Sequence, residues 1–434
     1  MPWITFALWG GALAAQRSPE VLMLDPGHLA IDVDAKTTRV LTVQFDQDMD
    51  QNVYSVCGGG PGFPAMSSAR WRDARTFVLE VTLEEDHVYS MDLSCAGSSG
   101  FFSAKGVRLA PVPWRIATLG PEVGKEVREA AATRLFRALR DRYSYRDRLG
   151  IDWDDFEHRS FDGLVEVPNM AALALRMAEL LTTPQDPHIS VRWRDAVTPT
   201  FQRPARSNFD ARALQRVLPK LTKVGRIGLQ ARTADDIGYL MIGTFAPPSD
   251  SDFDQCLQAL RKLRDCKGLI IDVRSNGGGD EDLARRLAGF FVEGNKVYAA
   301  HRVRDDRAED GFGPRQERTV RGNAAPDVYT GPVAVLMGPH NMSSCEAFLL
   351  MMKQASHATL IGDTSYGSSG NPQSIGLASG LYVMLPSWQA LRPDGSCFEG
   401  EGIEPTVHIT FPEGGSGESD PVLDEALTRL RAGR

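Results

Sequence analysis

Two adjacent hydroxyls stand where a hydroxyl can act as a nucleophile. The apolar run PVAVLM passes into GPHNMSSCEAFLLMM, so Ser343 and Ser344 fall at a strand-to-helix turn, above the first amides of the helix. The same pattern also describes a helix cap, with Ser343 at the N-cap and Glu346 completing a capping box. Directly after a second apolar run, GLIIDV, comes RSNGGGDED. Its glycines, Gly277, Gly278 and Gly279, leave backbone amides unobstructed, and such amides can bind an oxyanion, cradle a phosphate or simply turn the chain. Neither the GxGxxG nor the P-loop pattern accompanies them. A serine hydroxyl is almost wholly protonated near neutral pH, so a nucleophilic Ser343 needs a base. His340 is one candidate, but three residues is too short a separation to reach Ser343 without a special turn.

The elements that must carry these residues follow from hydrophobic period. From Val21 to about Ala117 the period is two: Leu41, Val43 and Phe45 alternate with polar residues, as do Phe77, Leu79, Val81 and Leu83. Turn-rich CGGGPG and CAGSSG punctuate these strands, which predicts an all-β sandwich over residues 17–119. At Pro121 the period changes to about 3.6, with Val127, Ala131, Leu135, Leu139 and Tyr143 on one face. A second helix is expected from about Asn169 to Leu181, giving a small helical bundle over 120–198. Residues 199–236 read as a linker with at most one helix. From Ile237 onward strands alternate with helices, which predicts an α/β core over 237–434.

Composition bounds the function. A chain of 434 residues with 42% hydrophobic and 24% charged residues is an ordinary folded, multidomain protein. Its formal charge is -8 and no basic run stands out, which argues against nucleic acid as a partner. Residues 1–16 form a short apolar segment with Ala12, Ala14 and Ala15 at its end, resembling a signal peptide, although no Lys or Arg precedes the apolar run. The expectation is a periplasmic or secreted protein without a stable membrane span. Six cysteines form no CxxC pair, so no zinc or other metal site is expected. Cys57 and Cys95 are expected either to be bridged or to face the core.

Four ordered segments carry a resemblance: GLIIDVRSNGGG, GPVAVLMGPHNMSSCE, LIGDTSYGSSG and FEGEGIEPTVHI. In order and spacing they look like the carboxy-terminal processing (tail-specific) peptidases and the related tricorn core proteases, over about Gly238 to Ile409. The segment YSYRDRLGIDWDDF resembles the family's helical subdomain, and LDPGHLAIDVD, VQFDQDMD and YSMDL resemble bacterial immunoglobulin-like modules. The resemblance implies a C-terminal core of the ClpP/crotonase type. No signature of the PDZ insertion common in the family is visible between Arg192 and Ile237.

The resemblance assigns the nucleophile to Ser343, with Ser344 less favoured. The lysine-dependent branch has its base twenty-five residues downstream, where this chain has Ser368. Lys353 would lie about 15 Å along the helix and cannot replace it. The tricorn-like branch instead uses a histidine and a glutamate, which map onto His188 in DPHISV and onto Glu399, with Glu401 as an alternative. The implied set is Ser343 as nucleophile, His188 as base and then acid, and Glu399 as the group that orients the imidazole. Oxyanion donors would be the amides of Ser344 and of Gly277 or Gly278. The tricorn-like pattern has a serine immediately before its histidine; here that residue is Pro187, and Ser190 or Ser368 would have to supply the hydroxyl. If Ser343 and Glu399 meet, Cys345 and Cys397 are close enough in sequence to bridge beside them.

The implied function is a serine endopeptidase acting on exported or unfolded polypeptides, with no cofactor. The rival is a non-catalytic ligand- or peptide-binding protein on the same core, for which loss of the lysine speaks. An assembly component whose β module does the work is a third reading.

Overall fold

The computed structural model describes residues 17–94, 100–205, 207–411 and 419–433. The expected signal peptide and Cys95 therefore lie outside the described residues. The chain divides into two compact units. One comprises the residues up to Val123 with 167–176 and 193–198; the other comprises 124–166, 177–192 and 199–434.

The first unit contains two four-stranded sheets. Val21–Asp25, Val40–Phe45, Thr76–Thr82 and Ala65–Trp71 pair antiparallel throughout. In the other sheet, Ala30–Val33 runs parallel to Val112–Thr118, which pairs antiparallel with Val88–Leu93 and through it with Val56–Cys57. The alternating residues Leu41, Val43, Phe45, Phe77, Leu79 and Val81 are buried, and they share one core with Tyr89, Met91, Leu93, Trp114 and Ile116 of the second sheet. Cys57 is disulfide-bonded.

Eight helices are present among the described residues: α1 (Lys125–Arg142), α2 (Trp153–Val165), α3 (Met170–Leu180), α4 (Ala211–Val217), α5 (Asp250–Lys262), α6 (Glu281–Ala288), α7 (Ser344–Met352) and α8 (Pro421–Arg431). Ala131, Leu135, Leu139 and Tyr143 are buried as their spacing predicts. Val127 is 46% exposed, because the helix starts at Lys125 and its first turn extends beyond the packed stripe. None of these helices is long and apolar enough to cross a membrane.

The second unit is built on a seven-stranded sheet in the order Thr222–Val224, Gly228–Arg232, Ile237–Ile242, Gly268–Asp272, Val333–Met337, Ala358–Gly362, Val407–His408. The first two strands join antiparallel and the rest run parallel. Residues expected to form a linker thus supply α4 and two strands at one end of the sheet, of which Thr222–Val224 is the edge. The strand Thr222–Val224 has only three residues, too few for a period to register in sequence.

Each central strand is buried on both faces, as parallel strands covered by helices must be. Leu269, Ile271, Val333 and Val335 face one layer, with Phe253 and Leu257 of α5, Leu287 of α6 and Phe348 of α7. Their neighbours Ile270, Ala334 and Leu336 face the other, with Leu214 of α4 and Val422, Leu423 and Leu427 of α8.

A buried ion cluster fastens α8 beneath the sheet. Arg274 is fully buried; it bonds Asp272 at 2.8 Å, both carboxylate oxygens of Asp420 at 2.8 Å, and the Asn208 carbonyl at 2.9 Å. Asp420 also caps α8 by accepting from Leu423 N–H.

Candidate active site

The strand Val333–Met337 delivers the chain to a turn that Asn341 holds in place. Its side-chain carbonyl accepts from Gly338 N–H at 2.8 Å, and its amide donates to the carbonyls of Val273 and Asn276, at the foot of the glycine loop. At the end of this turn Ser343 adopts φ 55° and ψ -127°, a region that non-glycine residues rarely occupy, and α7 begins with the next residue. Strain of this kind is characteristic of a nucleophile lifted on a strand-to-helix elbow.

The capping box read from sequence is present as well. The Ser343 N–H is shared between the Ser368 carbonyl (2.8 Å) and Glu346 Oε2 (3.1 Å). The neighbouring hydroxyl is committed elsewhere: Ser344 Oγ donates to the Gly279 carbonyl at 2.6 Å. Of the two hydroxyls, Ser343 is therefore the one not tied to the glycine loop.

Gly278 packs against this elbow. A Cβ built there would lie 2.9 Å from Ser343 Cβ and 3.1 Å from Ser344 N, and its φ of +101° is itself a glycine conformation. Its amide, expected as an alternative oxyanion donor, is already spent: Gly278 N–H donates to Asn276 Oδ1 at 2.8 Å. The oxyanion expectation thereby narrows to Ser344 and Gly277.

His188 sits after α3, on a turn set by Asp186, whose carboxylate accepts from His188 N–H at 2.8 Å. The imidazole side chain is 11% exposed. Burial lowers its pKa from the ordinary 6.5, while the charge of Asp186 acts the other way. Its Nδ1 lies 2.7 Å from Ser368 Oγ, and no direct hydrogen bond joins it to Ser343. Ser368, the position at which the sequence resemblance expects lysine in its lysine-dependent branch, is thus the hydroxyl that touches the histidine.

Glu399 is almost fully buried, but its bonded neighbour is Ser369, whose N–H reaches Oε2 at 2.8 Å. Burial, then the nearby charge of Asp186, push this carboxyl well above the usual carboxylate range. It makes no hydrogen bond to His188. Glu401 pairs with Arg392 at the surface and stands apart from the site. His340 is half-buried, which lowers its pKa, and it makes no hydrogen bond to Ser343.

Sequence reasoning treated Glu346 only as a cap, yet its carboxylate organises the site. Fully buried, it accepts from Ser365 Oγ (2.6 Å), Gly367 N–H (2.7 Å), Ser368 N–H (3.1 Å) and Ser343 N–H (3.1 Å). Burial raises its pKa to about 7 against the pull of those donors. One carboxylate thus holds both Ser343 and the loop carrying Ser368.

The bridge considered for Cys345 and Cys397 is absent, and both are free thiols. Cys345 points into the sheet-facing core with Phe348, so proximity in sequence to Ser343 does not bring it to Cys397. No cluster of residues suited to a metal occurs among the described residues.

Residues 236–409 match peptidase family S41. The carboxy-terminal processing protease CtpB of Bacillus subtilis is 28% identical over 177 residues, which is 41% of this chain and 35% of that protein. CtpA of the same organism is 25% identical over 179 residues, 41% of this chain and 36% of the relative. The chain thus spans about a third of the length of these relatives. A solved structure from Parabacteroides merdae superposes with a TM-score of 0.60 at 23% identity, covering 69% of this chain and 96% of that one. Mature CPAF gives 0.52 at 12% identity, covering 70% and 98%. These two likenesses concern the fold. The matched residues 236–409 are the α/β core that carries the Ser343 elbow, and it is over this part of the chain that the similarity to peptidase family S41 holds.

Proposed function

We propose that the protein is a serine endopeptidase that cleaves polypeptides through an acyl-enzyme on Ser343. The observation that carries this reading is the strained Ser343 elbow at the start of α7 with Gly278 pressed against it. Ser343 Oγ attacks the scissile carbonyl and passes its proton to His188, whose Nε2 is left for this task by the bond from Nδ1 to Ser368. The C–N bond breaks as His188 returns the proton to the leaving amine. Water, deprotonated by the same imidazole, then releases the acyl group. The developing oxyanion is held by the amides of Ser344 and Gly277.

A cavity of ≈ 640 Å³ lined by Lys223, Arg226, Met241 and Thr244 adjoins the glycine loop through Thr244, whose hydroxyl donates to the Gly278 carbonyl at 3.4 Å; it is read as a flanking subsite for polypeptide, since neither Ser343 nor His188 lines it. The N-terminal unit is read as an immunoglobulin-like sandwich, the core as the ClpP/crotonase type, and the protein as exported, with CtpA and CtpB as relatives.

The test is labelling by a fluorophosphonate, comparing wild type with Ser343→Ala and His188→Ala. Wild type labels and both variants do not. Labelling that persists in Ser343→Ala removes the nucleophile. No labelling of wild type, with no turnover of any peptide mixture, favours the binding protein, a reading that the absence of a direct His188–Ser343 bond supports.

A further inference from the structure

A serine–histidine mechanism is helped by a carboxylate behind the histidine, which fixes the ring and balances the imidazolium formed during attack. Glu399 was expected in that role. Its hydrogen-bond partner is instead the Ser369 amide, and no hydrogen bond joins it to His188.

Asp186 lies against the histidine, at ion-pair rather than hydrogen-bond distance from a ring nitrogen that Ser368 already bonds. It is fully buried, and its Oδ1 lies 4.0 Å from His188 Nδ1 while also accepting the His188 backbone N–H at 2.8 Å. The other oxygen, Oδ2, accepts from Tyr143 Oη at 2.9 Å. Tyr143 closes α1 and is itself fully buried; the next residue, Ser144, bonds the Pro386 carbonyl through both N–H and Oγ. Arg148 ties down the same turn through the carbonyls of Pro184 and Gln185, at 2.8 and 3.0 Å. The Asp186 carboxylate thus receives two hydrogen bonds against one for Glu399, while burial raises and Arg148 lowers the pKa of both. The other titratable groups facing it are Tyr145, Tyr366 and Glu399.

We infer that Asp186, fixed by Tyr143, is the positioning residue that orients His188 and balances its charge, in place of Glu399. This rests on the hydrolase reading for its catalytic meaning, but not for its test.

The test is an NMR titration of His188 in the full-length Ser343→Ala chain, alone and combined with Asp186→Asn, Tyr143→Phe or Glu399→Gln. The pH profile of kcat/KM is followed for the same second-site changes in the otherwise wild-type chain. Removing the Asp186 charge withdraws support from the imidazolium, so Asp186→Asn lowers the His188 midpoint by about one pH unit or more. The acid limb of kcat/KM moves the same way, and the loss falls on kcat rather than KM. Tyr143→Phe removes one donor from the carboxylate and gives a smaller shift in the same direction, which decides the matter if Asp186→Asn does not fold. Glu399→Gln, which changes a carboxyl that makes no hydrogen bond to His188, shifts the midpoint least. A midpoint unmoved by Asp186→Asn and Tyr143→Phe, or moved further by Glu399→Gln, overturns the assignment. A chain that titrates as expected but never cleaves a peptide counts against the hydrolase reading alone.

Discussion

His188 Nδ1 and Ser368 Oγ, 180 residues apart in the chain, meet at 2.7 Å. The contact engages one ring nitrogen with a neutral hydroxyl and leaves Nε2 as the other. Ser368→Ala leaves Nδ1 without that partner at a nearly buried position. The expected loss is about 1–3 kcal/mol of transition-state stabilisation, roughly 5- to 150-fold in kcat. Steady-state kinetics with KM read separately checks this; an unchanged kcat means that the hydroxyl is only a spacer.

Hydrolysis should depend on pH through His188. A base must be neutral to accept the Ser343 proton, and burial holds this imidazole below its ordinary 6.5. Activity therefore rises through a midpoint below 6.5 and is complete by neutral pH. An acid limb centred above 7 would exclude His188 as the group reported.

Glu346→Gln tests the hub beneath the elbow. Of its four donors, three are backbone N–H groups that cannot reverse, and a carboxamide keeps only one acceptor oxygen. Two stranded donors cost roughly 2–6 kcal/mol. Labelling at Ser343 should fall in parallel. The pH sign is also defined: a carboxyl raised to about 7 in the fold from 4.5 makes its full contribution below about 4.5, and loses it as pH rises to about 7. Thermal melts from pH 4.5 to 7 should show that slope in wild type and not in Glu346→Gln.

Asp420→Ala removes one of the two carboxylates around a fully buried guanidinium and uncaps α8. The expected destabilisation is about 3–5 kcal/mol, read from denaturant midpoints. A change below 1 kcal/mol would mean that α8 is held by its apolar face alone.

The four thiols Cys256, Cys266, Cys345 and Cys397 should alkylate slowly in the native protein and fully once it is unfolded. Burial raises all four pKa values, Cys256 to about 12. Peptide mapping without reductant that finds Cys345 joined to Cys397 contradicts the fold around the elbow.

Much of this architecture was legible in the sequence, for identifiable reasons. Runs such as GLIID and VAVLM bury every residue, so continuous apolarity marked them as central strands and put Ser343 and Ser344 at a strand-to-helix turn, while the choice of Ser343 came from the resemblance. What escaped was short or long-range. The helix α4 spans seven residues and the strand Thr222–Val224 three, below the length at which periodicity speaks. The Asp186 side chain was the most readable miss, because an Asp in a turn readily accepts from the backbone N–H two residues on, here that of His188. The Gly278 amide could not have been read as spent, since nothing in NGGG says which glycine its asparagine will hold.

The backbone at Ser343 also restricts which alcohol can occupy the elbow. Threonine offers the same functional group and nearly the same acidity, but its branched Cβ makes a φ of 55° costly, by about 1–3 kcal/mol. The turn thus discriminates between two residues that are equivalent as nucleophiles, on the shape of the main chain alone. Glycine, with no nucleophile at all, is the substitution the fold would accept most readily.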